Sequence, residues 1–209
     1  MSFVWILFSL AVFGFVHSLL ASLMAKALAR KWLGARVADG TYRLLYNFVA
    51  TLTVLPPFAL ALLLPDQPPL WQILMPEAFV TTLIQIAALG GMVVSLWRVG
   101  LPRFVGLRQL LRLLAGELDP RDPPVLRTDG VHGWVRHPLY FFSLVVLWLL
   151  PVMTPNLFAL NLGITFYFWI GSIYEERKLV QEFGDAYRAH QARVPRLFPW
   201  PRPAARPEP

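Results

Sequence analysis

The stretch from Leu139 to Tyr174, LYFFSLVVLWLLPVMTPNLFALNLGITFYFWIGSIY, decides the fold, because it runs 36 residues without one charged side chain. As a single straight helix it would rise roughly 54 Å at about 1.5 Å per residue, well beyond the ~30 Å hydrocarbon core of a bilayer. Pro151, Thr154, Pro155 and Asn156 cluster near its middle, and proline there removes a backbone donor and favours a turn. The reading is a tight hairpin of two shortish membrane helices. No water reaches the hydrocarbon, so the backbone must bond to itself and apolar runs of this kind are helical.

Three further runs precede the hairpin: Phe3 to Ala25, about Leu44 to Leu64, and Ala78 to Leu101, the last interrupted by Arg98 near its end. The first follows an N-terminus with no lysine or arginine, whereas a secretory signal begins with a basic region; it reads as a retained helix. Hydrophobic residues make up 56% and charged residues 15% of the chain, against about a quarter charged in soluble domains. The expected fold is all-α, an integral membrane bundle of about five transmembrane helices with a C-terminal helical hairpin and cytoplasmic amphipathic helices.

The charges give that bundle an orientation. Five basic residues (Lys26, Arg30, Lys31, Arg36, Arg43) follow the first run, seven lie between the third and fourth with Arg98, and seven follow the fifth. All 19 therefore fall on one side of five spans, while Asp66 and Glu77 are the only charges on the other. The positive-inside rule then places the N-terminus outside and the C-terminus in the cytoplasm. The net charge of +7 reads as contact with anionic lipid headgroups rather than with nucleic acid, since the arginines flank spans. Cysteine is absent, which excludes disulfides, thiolate metal sites and cysteine nucleophiles.

On the basic side, Leu107, Leu110, Leu111 and Leu114 recur at helical spacing between Pro102 and Ala115, with Arg103, Arg108 and Arg112 on other faces; this reads as a helix in the membrane interface. Residues 117–128 hold three prolines and three acidic residues, the composition of a turn or loop. Leu179, Phe183 and Tyr187 form the apolar face of a second amphipathic stretch, 175–190, that continues the fifth helix, and His190 on it reads as solvated. Prolines from Pro195 onward end helix formation. The expected organisation is 1–101 as an N-terminal three-helix membrane region, 102–199 as connector, hairpin and C-terminal helix, and 200–209 as a flexible tail.

Two polar clusters stand out. Gly130-Val131-His132-Gly133-Trp134-Val135-Arg136-His137-Pro138-Leu139-Tyr140 lies where the chain re-enters the membrane. Its glycines permit close backbone approach, its histidines and arginine are anion donors, and Pro138 suits the first helical position. The same composition also serves as an interfacial anchor. Glu175-Glu176-Arg177 forms the second cluster, and acidic residues at a helix C-terminus oppose the macrodipole unless the helix continues past them. The hairpin returns them to the level of Arg136 and His137. The result is either a pocket with cationic and anionic walls, suited to a zwitterionic amino-acid-like ligand, or a plain ion pair between Arg136 and a glutamate that locks the hairpin.

The run Arg136-His137-Pro138-Leu139-Tyr140, the apolar hairpin, Glu175-Glu176, Leu179, Phe183-Gly184, Tyr187 and Val194-Pro195-Arg196 together resemble the membrane methyltransferases related to isoprenylcysteine carboxyl methyltransferase and phospholipid N-methyltransferases. Phe13, His17-Ser18-Leu19 and Tyr42-Arg43-Leu44-Leu45-Tyr46-Asn47 are similar to NnrU-like proteins and to bacterial thiol S-methyltransferases of that superfamily. The resemblance implies an S-adenosylmethionine-dependent methyltransferase of the bacterial inner membrane, with no metal, acting on a small hydrophobic or lipid-like nucleophile: a thiol, carboxylate or amine. It implies that Gly130, His132, Arg136, His137 and Tyr140 hold the cofactor's carboxylate and adenosine and that Glu175 or Glu176 receives its ammonium, with Glu176 or His132 as the proton acceptor. A non-catalytic NnrU-like accessory protein of denitrification or respiration, and a nicotinamide-dependent reductase of related architecture, are the alternatives. His17, inside the first helix, reads as a packing residue, a substrate contact or a heme ligand. Arg43, Tyr46 and Asn47 either line the substrate entrance or anchor the second helix.

Overall fold

A computed structural model describes residues 1–119, 121 and 124–200. Among them the protein is helical apart from a pair of two-residue strands: α1 (Ser2–Ala21), α2 (Leu23–Leu33), α3 (Ala35–Leu63), β1 (Trp71–Gln72), α4 (Glu77–Val99), α5 (Leu101–Val105), α6 (Leu107–Leu114), a 3-10 turn (Gly130–Gly133), α7 (Pro138–Trp148), β2 (Val152–Met153), α8 (Pro155–Phe183) and α9 (Asp185–Arg193). The helices α1, α3, α4 and α8 are each long and apolar enough to cross a membrane, so this is a multi-pass membrane protein. Side chains such as Trp97 and Leu63, 82% and 81% exposed, would be costly to hydrate in this number and suit a lipid solvent. The expected loop at 117–128 falls partly, and the expected tail at 200–209 almost wholly, outside the described residues.

The chain divides into two compact units. Met1–Leu70, Val99–Pro123 and Thr154–Gly163 form the first. Here α1 lies along α3, with Ile6, Leu10 and Phe13 buried. The first apolar run ends earlier than its hydropathy suggests, because Ser22 caps a new helix by accepting from the Ala25 amide. The expected interfacial helix over 102–115 is two helices broken at Gly106, where a side chain would press within 2.5 Å of the Leu44 amide nitrogen. Polar side chains of α3 fasten this region: Asn47 donates to the carbonyls of Phe104 and Val105, and Arg36 to that of Glu117. At the opposite end of α3, Asn156 donates to the Leu64 carbonyl through its side chain and to Asp66 through its amide.

Trp71–Arg98, Pro124–Met153 and Ile164–Pro209 form the second unit. The hairpin arms are unequal here: α7 has only 11 residues, whereas α8 has 29 and runs on past the apolar segment as expected, breaking at Gly184 before α9. At about 1.5 Å per residue α7 rises only ~16 Å. It runs antiparallel to α4, with Gln85 donating to the Val146 carbonyl at 2.7 Å and Gly91 facing Phe142. Beyond α7 the chain goes on extended, and β2 pairs with β1, Trp71 opposite Met153 and Gln72 opposite Val152, while the Ile73 amide donates to Pro151. Helix and extension together therefore match the length of α4. The strand pair gives the extended backbone beyond α7 its hydrogen-bond partners within the protein.

The α4–α7 approach makes a direct prediction. A Cβ on Gly91 would sit 2.5 Å from the Phe142 ring, whereas one on Gly90 meets nothing within 4 Å. Gly91→Ala is expected to cost about 1–3 kcal/mol by overpacking and to lower the thermal midpoint in detergent. Gly90→Ala, which gains helix propensity without a clash, leaves the midpoint unchanged or raises it.

Candidate functional site

In the second unit the loop before α7, the C-terminal part of α8, and α9 with the residues after it converge on one ion pair. Pro138 occupies the first turn of α7 and His137 caps it with φ −120°. Preceding it, Arg136 donates to both carboxylate oxygens of Glu176, Nε to Oε1 at 2.7 Å and Nη2 to Oε2 at 3.0 Å. The remaining guanidinium nitrogen, Nη1, donates to the carbonyls of Gln191 and Val194. The two charged side chains are 6% and 10% exposed, a degree of burial tolerable only for a paired, hydrogen-bonded charge. Gln191 adds a hydrogen bond to Glu176 at 2.9 Å. The Arg136 and His137 amides donate to the carbonyls of Pro195 and Arg196, so the post-α9 chain straps across the start of α7. Arg196 itself rests over the Trp169 ring at 4.5 Å.

A second, more open layer surrounds His137. Its Nε2 lies 3.3 Å from Glu176 Oε1 and its Nδ1 3.4 Å from Glu175 Oε2. Tyr140 donates to the same Glu175 oxygen at 3.1 Å. The His137, Tyr140 and Phe168 rings stack in succession, with centroids 5.3 Å and then 4.4 Å apart and planes within 7°. Glu175 remains 49% exposed, which leaves its carboxylate able to receive another cation. The helix α8 runs on to Phe183, so neither glutamate meets an unfavourable helix terminus.

The histidines are tuned in opposite directions. Burial works against charge on His137, but hydrogen bonds and attraction from Glu175 and Glu176 outweigh it and raise its pKa. Burial lowers the pKa of His132, and the charges of Arg127 and Arg98 reinforce this while Asp129 opposes it. The His132 Nδ1 atom is buried with no hydrogen-bond partner among the described residues. His190, expected to be solvated, is 2% exposed. It shares a buried face of α9 with Tyr187, three residues earlier, their rings 6.0 Å apart. Helical periodicity marks Tyr187 as inward-facing, and its i+3 neighbour follows it; this was the available signal for His190.

The expected site residues thus fall into two groups. Gly130, His132, Arg136, His137, Tyr140, Glu175 and Glu176 all belong to the second unit, and the structure brings the last five into one bonded cluster. His17, Arg43, Tyr46 and Asn47 belong to the first. There the His17 Nε2 and the Tyr46 hydroxyl share a short hydrogen bond between α1 and α3, beside the buried Phe13 ring. Arg43 donates to the Arg103 carbonyl, and Asn47 to Phe104 and Val105, bonds that anchor α3 to α5. No group of three or more metal-ligating side chains occurs among the described residues.

A helical membrane protein with a buried arginine–glutamate clamp and an accessible second glutamate is the class that fold and site define. The chain is homologous to proteins named methanethiol S-methyltransferase, in line with its resemblance to the thiol S-methyltransferase branch of the isoprenylcysteine carboxyl methyltransferase superfamily. It is 31% identical over 195 residues to methanethiol S-methyltransferase 1 of Bradyrhizobium diazoefficiens, an alignment covering 92% of this chain and 65% of that protein. It is 33% identical over 96 residues, 46% of this chain and 38% of the relative, to the methanethiol S-methyltransferase of Mycobacterium tuberculosis. Against that of Pseudomonas deceptionensis it is 40% identical over 73 residues, 35% and 28% of the two chains. The chain therefore spans less than two thirds of the length of these relatives. No family model and no solved structure matches it.

Two outcomes follow from the clamp. Arg136→Ala strands the Glu176 carboxylate and should cost about 3–5 kcal/mol, read as a loss of thermal stability in detergent; Arg136→Met combined with Glu176→Leu should recover most of it. For His137 the sign is set by its raised pKa. Its contribution to stability is complete below about pH 6.5, the unfolded value, and fades as pH rises through the higher folded value. Thermal midpoints measured upward from pH 6.5 should fall in the unsubstituted protein and flatten in His137→Gln. The lowered pKa values of His132 and His190 act with the opposite sign and only below that range.

Proposed function

We propose that this protein is an integral membrane methyltransferase that uses S-adenosylmethionine to methylate a small thiol, methanethiol being the acceptor that the relatives' names indicate. The observation that carries the reading is the division of labour among the acidic pair and its partners, set beside homology along 92% of the chain. Glu176 is wholly engaged in holding the loop before α7, α8 and α9 together, whereas Glu175 is half-open beside Tyr140 and His137. An accessible carboxylate suits the cofactor's ammonium group, and the buried Nδ1 of His132 is a polar atom in want of a partner. Every guanidinium nitrogen of Arg136 donates within the protein, so its role here is to frame the site rather than to hold the cofactor carboxylate.

The bound cofactor supplies an activated sulfonium methyl group, so what remains for the protein is to align the nucleophile, exclude water and take up a proton. Net transfer would convert a thiol to its thioether, the methyl coming from the cofactor's sulfonium, with S-adenosylhomocysteine as the leaving group and one proton for the protein to take up. His132, which burial keeps neutral, is a suitable acceptor for that proton, with Glu176 held back by its ion pair. His17 and Tyr46, a polar pair within two apolar helices, are the thiol-side residues, since ionisable groups at membrane depth are costly unless they serve a function. We read residues 102–199 as supplying the cofactor site and the basic face as cytoplasmic, with the N-terminus outside and the bacterial inner membrane as the location. Lipid surrounds the spans, and the reading includes no nucleic-acid partner.

Titration calorimetry with S-adenosylhomocysteine tests the assignment on the purified full chain. Glu175→Gln, which leaves the buried clamp intact, should weaken binding at least tenfold, about 1.4 kcal/mol, with only the small fall in thermal midpoint that losing one carboxylate partner of His137 entails. His17→Ala should leave that binding unaltered while raising the KM for thiol. Undiminished binding in Glu175→Gln would remove Glu175 from the site, and no binding by the unsubstituted protein would sink the cofactor.

A further inference from the structure

We propose that Arg98 is a positioning residue of the methyl-donor site, acting as a latch that fixes the turn Gly130–Gly133 and so presents His132. The proposal rests on the reading above that this turn borders the donor. Arg98 ends the α4 span, where an arginine ordinarily reaches towards headgroups as an anchor. Here its guanidinium instead pairs with Asp129, the residue that caps the turn. It also lies against the next residue, Gly130, so closely that a Cβ there would fall 2.6 Å from Arg98 Cζ, 2.8 Å from Nη2 and 2.9 Å from Nε.

Two independent features of the sequence, an arginine inside an apolar run and a glycine at the head of the motif, thus have one cause. Gly130 adopts φ +57°, a conformation other residues rarely take, and its missing side chain is the space that the guanidinium fills. At the ends of the turn the His132 amide donates to Asp129 and the Trp134 and Val135 amides to Val131, at 3.2 to 3.4 Å. The next fixed points along the chain are the Arg136 and His137 amides, strapped by Pro195 and Arg196. Arg98 therefore supplies the only side-chain ion pair on the leading end of the turn among the described residues, and the depressed pKa of Asp129 has Arg98 as its main cause. Displacing the turn would move His132 relative to the Glu175–Tyr140–His137 layer, and misplacement by about 1 Å is enough to cost binding or rate heavily.

The test uses the full chain in detergent with three readouts: affinity for S-adenosylhomocysteine, the KM for methyl donor against kcat, and deuterium exchange at the amides of residues 130–137. Arg98→Ala should weaken the affinity about tenfold, raise the donor KM in proportion, and lower kcat as well, because the displaced His132 is the residue read as proton acceptor. Exchange should quicken at His132, Trp134 and Val135 while Arg136 and His137 stay protected. Arg98→Lys, which keeps a cation for Asp129, should recover part of the affinity. Gly130→Ala should weaken binding alone but add less when combined with Arg98→Ala, because the clash is gone; that non-additivity is the signature of direct contact. Unchanged exchange in Arg98→Ala overturns the latch, and so does strict additivity of the two substitutions. Quickened exchange with undiminished affinity overturns the turn's role at the donor site. Should the unsubstituted protein fail to bind S-adenosylhomocysteine, the functional reading falls, and exchange at the turn still decides whether the latch exists.

Discussion

The ion pair between Arg136 and Glu176 is the interaction on which the rest of the second unit depends. It joins the start of α7 to α8 by two parallel hydrogen bonds, and through Nη1 it draws in the end of α9 and the segment behind it. Removing two charges from water carries a desolvation penalty of several kcal/mol per ion, which geometry of this quality offsets. Any shift of α8 against α7 would separate the buried Glu176 carboxylate from its guanidinium partner, a strongly unfavourable change for a buried charge. With Glu176 so fixed, its neighbour Glu175 is carried to the open side, where Tyr140 and His137 hold it by one oxygen and leave the other available.

That arrangement separates frame from chemistry. Arg136, Glu176, Gln191 and the backbone of residues 194–196 form the frame, while Glu175 and His132, with the stacked rings of His137, Tyr140 and Phe168, are the residues proposed for the chemistry. The opposite tuning of the two histidines follows from the same division. His137 lies between two carboxylates that favour its charged form, and His132 is buried near arginines that disfavour it. Two imidazoles within a few residues of each other are thus shifted in opposite directions.

Much of this was legible in the sequence. A charge-free run too long for one span must turn back, and the prolines near its middle locate the turn; the return in turn places Glu175 and Glu176 beside Arg136 and His137. What the sequence left open depended on distant partners. The shortness of α7 is possible because β2 finds β1, eighty residues away in the chain, to satisfy its backbone. The break at Gly106 depends on the backbone of Leu44. His190 reads as solvated from its polar neighbours, although its place three residues after Tyr187 puts it on the inward face of α9. Of the two readings of the Arg136 cluster, the structural lock describes Arg136 with Glu176, and the ligand-binding reading is carried forward as a proposal on the half-open Glu175. Arg98 looked like the end of a span, since nothing local connects it to Gly130.

The central claim is that this cluster serves methyl transfer to a thiol in a membrane-embedded protein. The most direct measurement supplies S-adenosylmethionine labelled in its methyl group, together with methanethiol, to membranes containing the full chain, and follows the label into volatile thioether. The account predicts labelled dimethyl sulfide formed in proportion to the protein present and lost in Glu175→Gln. No labelled thioether above protein-free membranes, or equal amounts from Glu175→Gln, would contradict it.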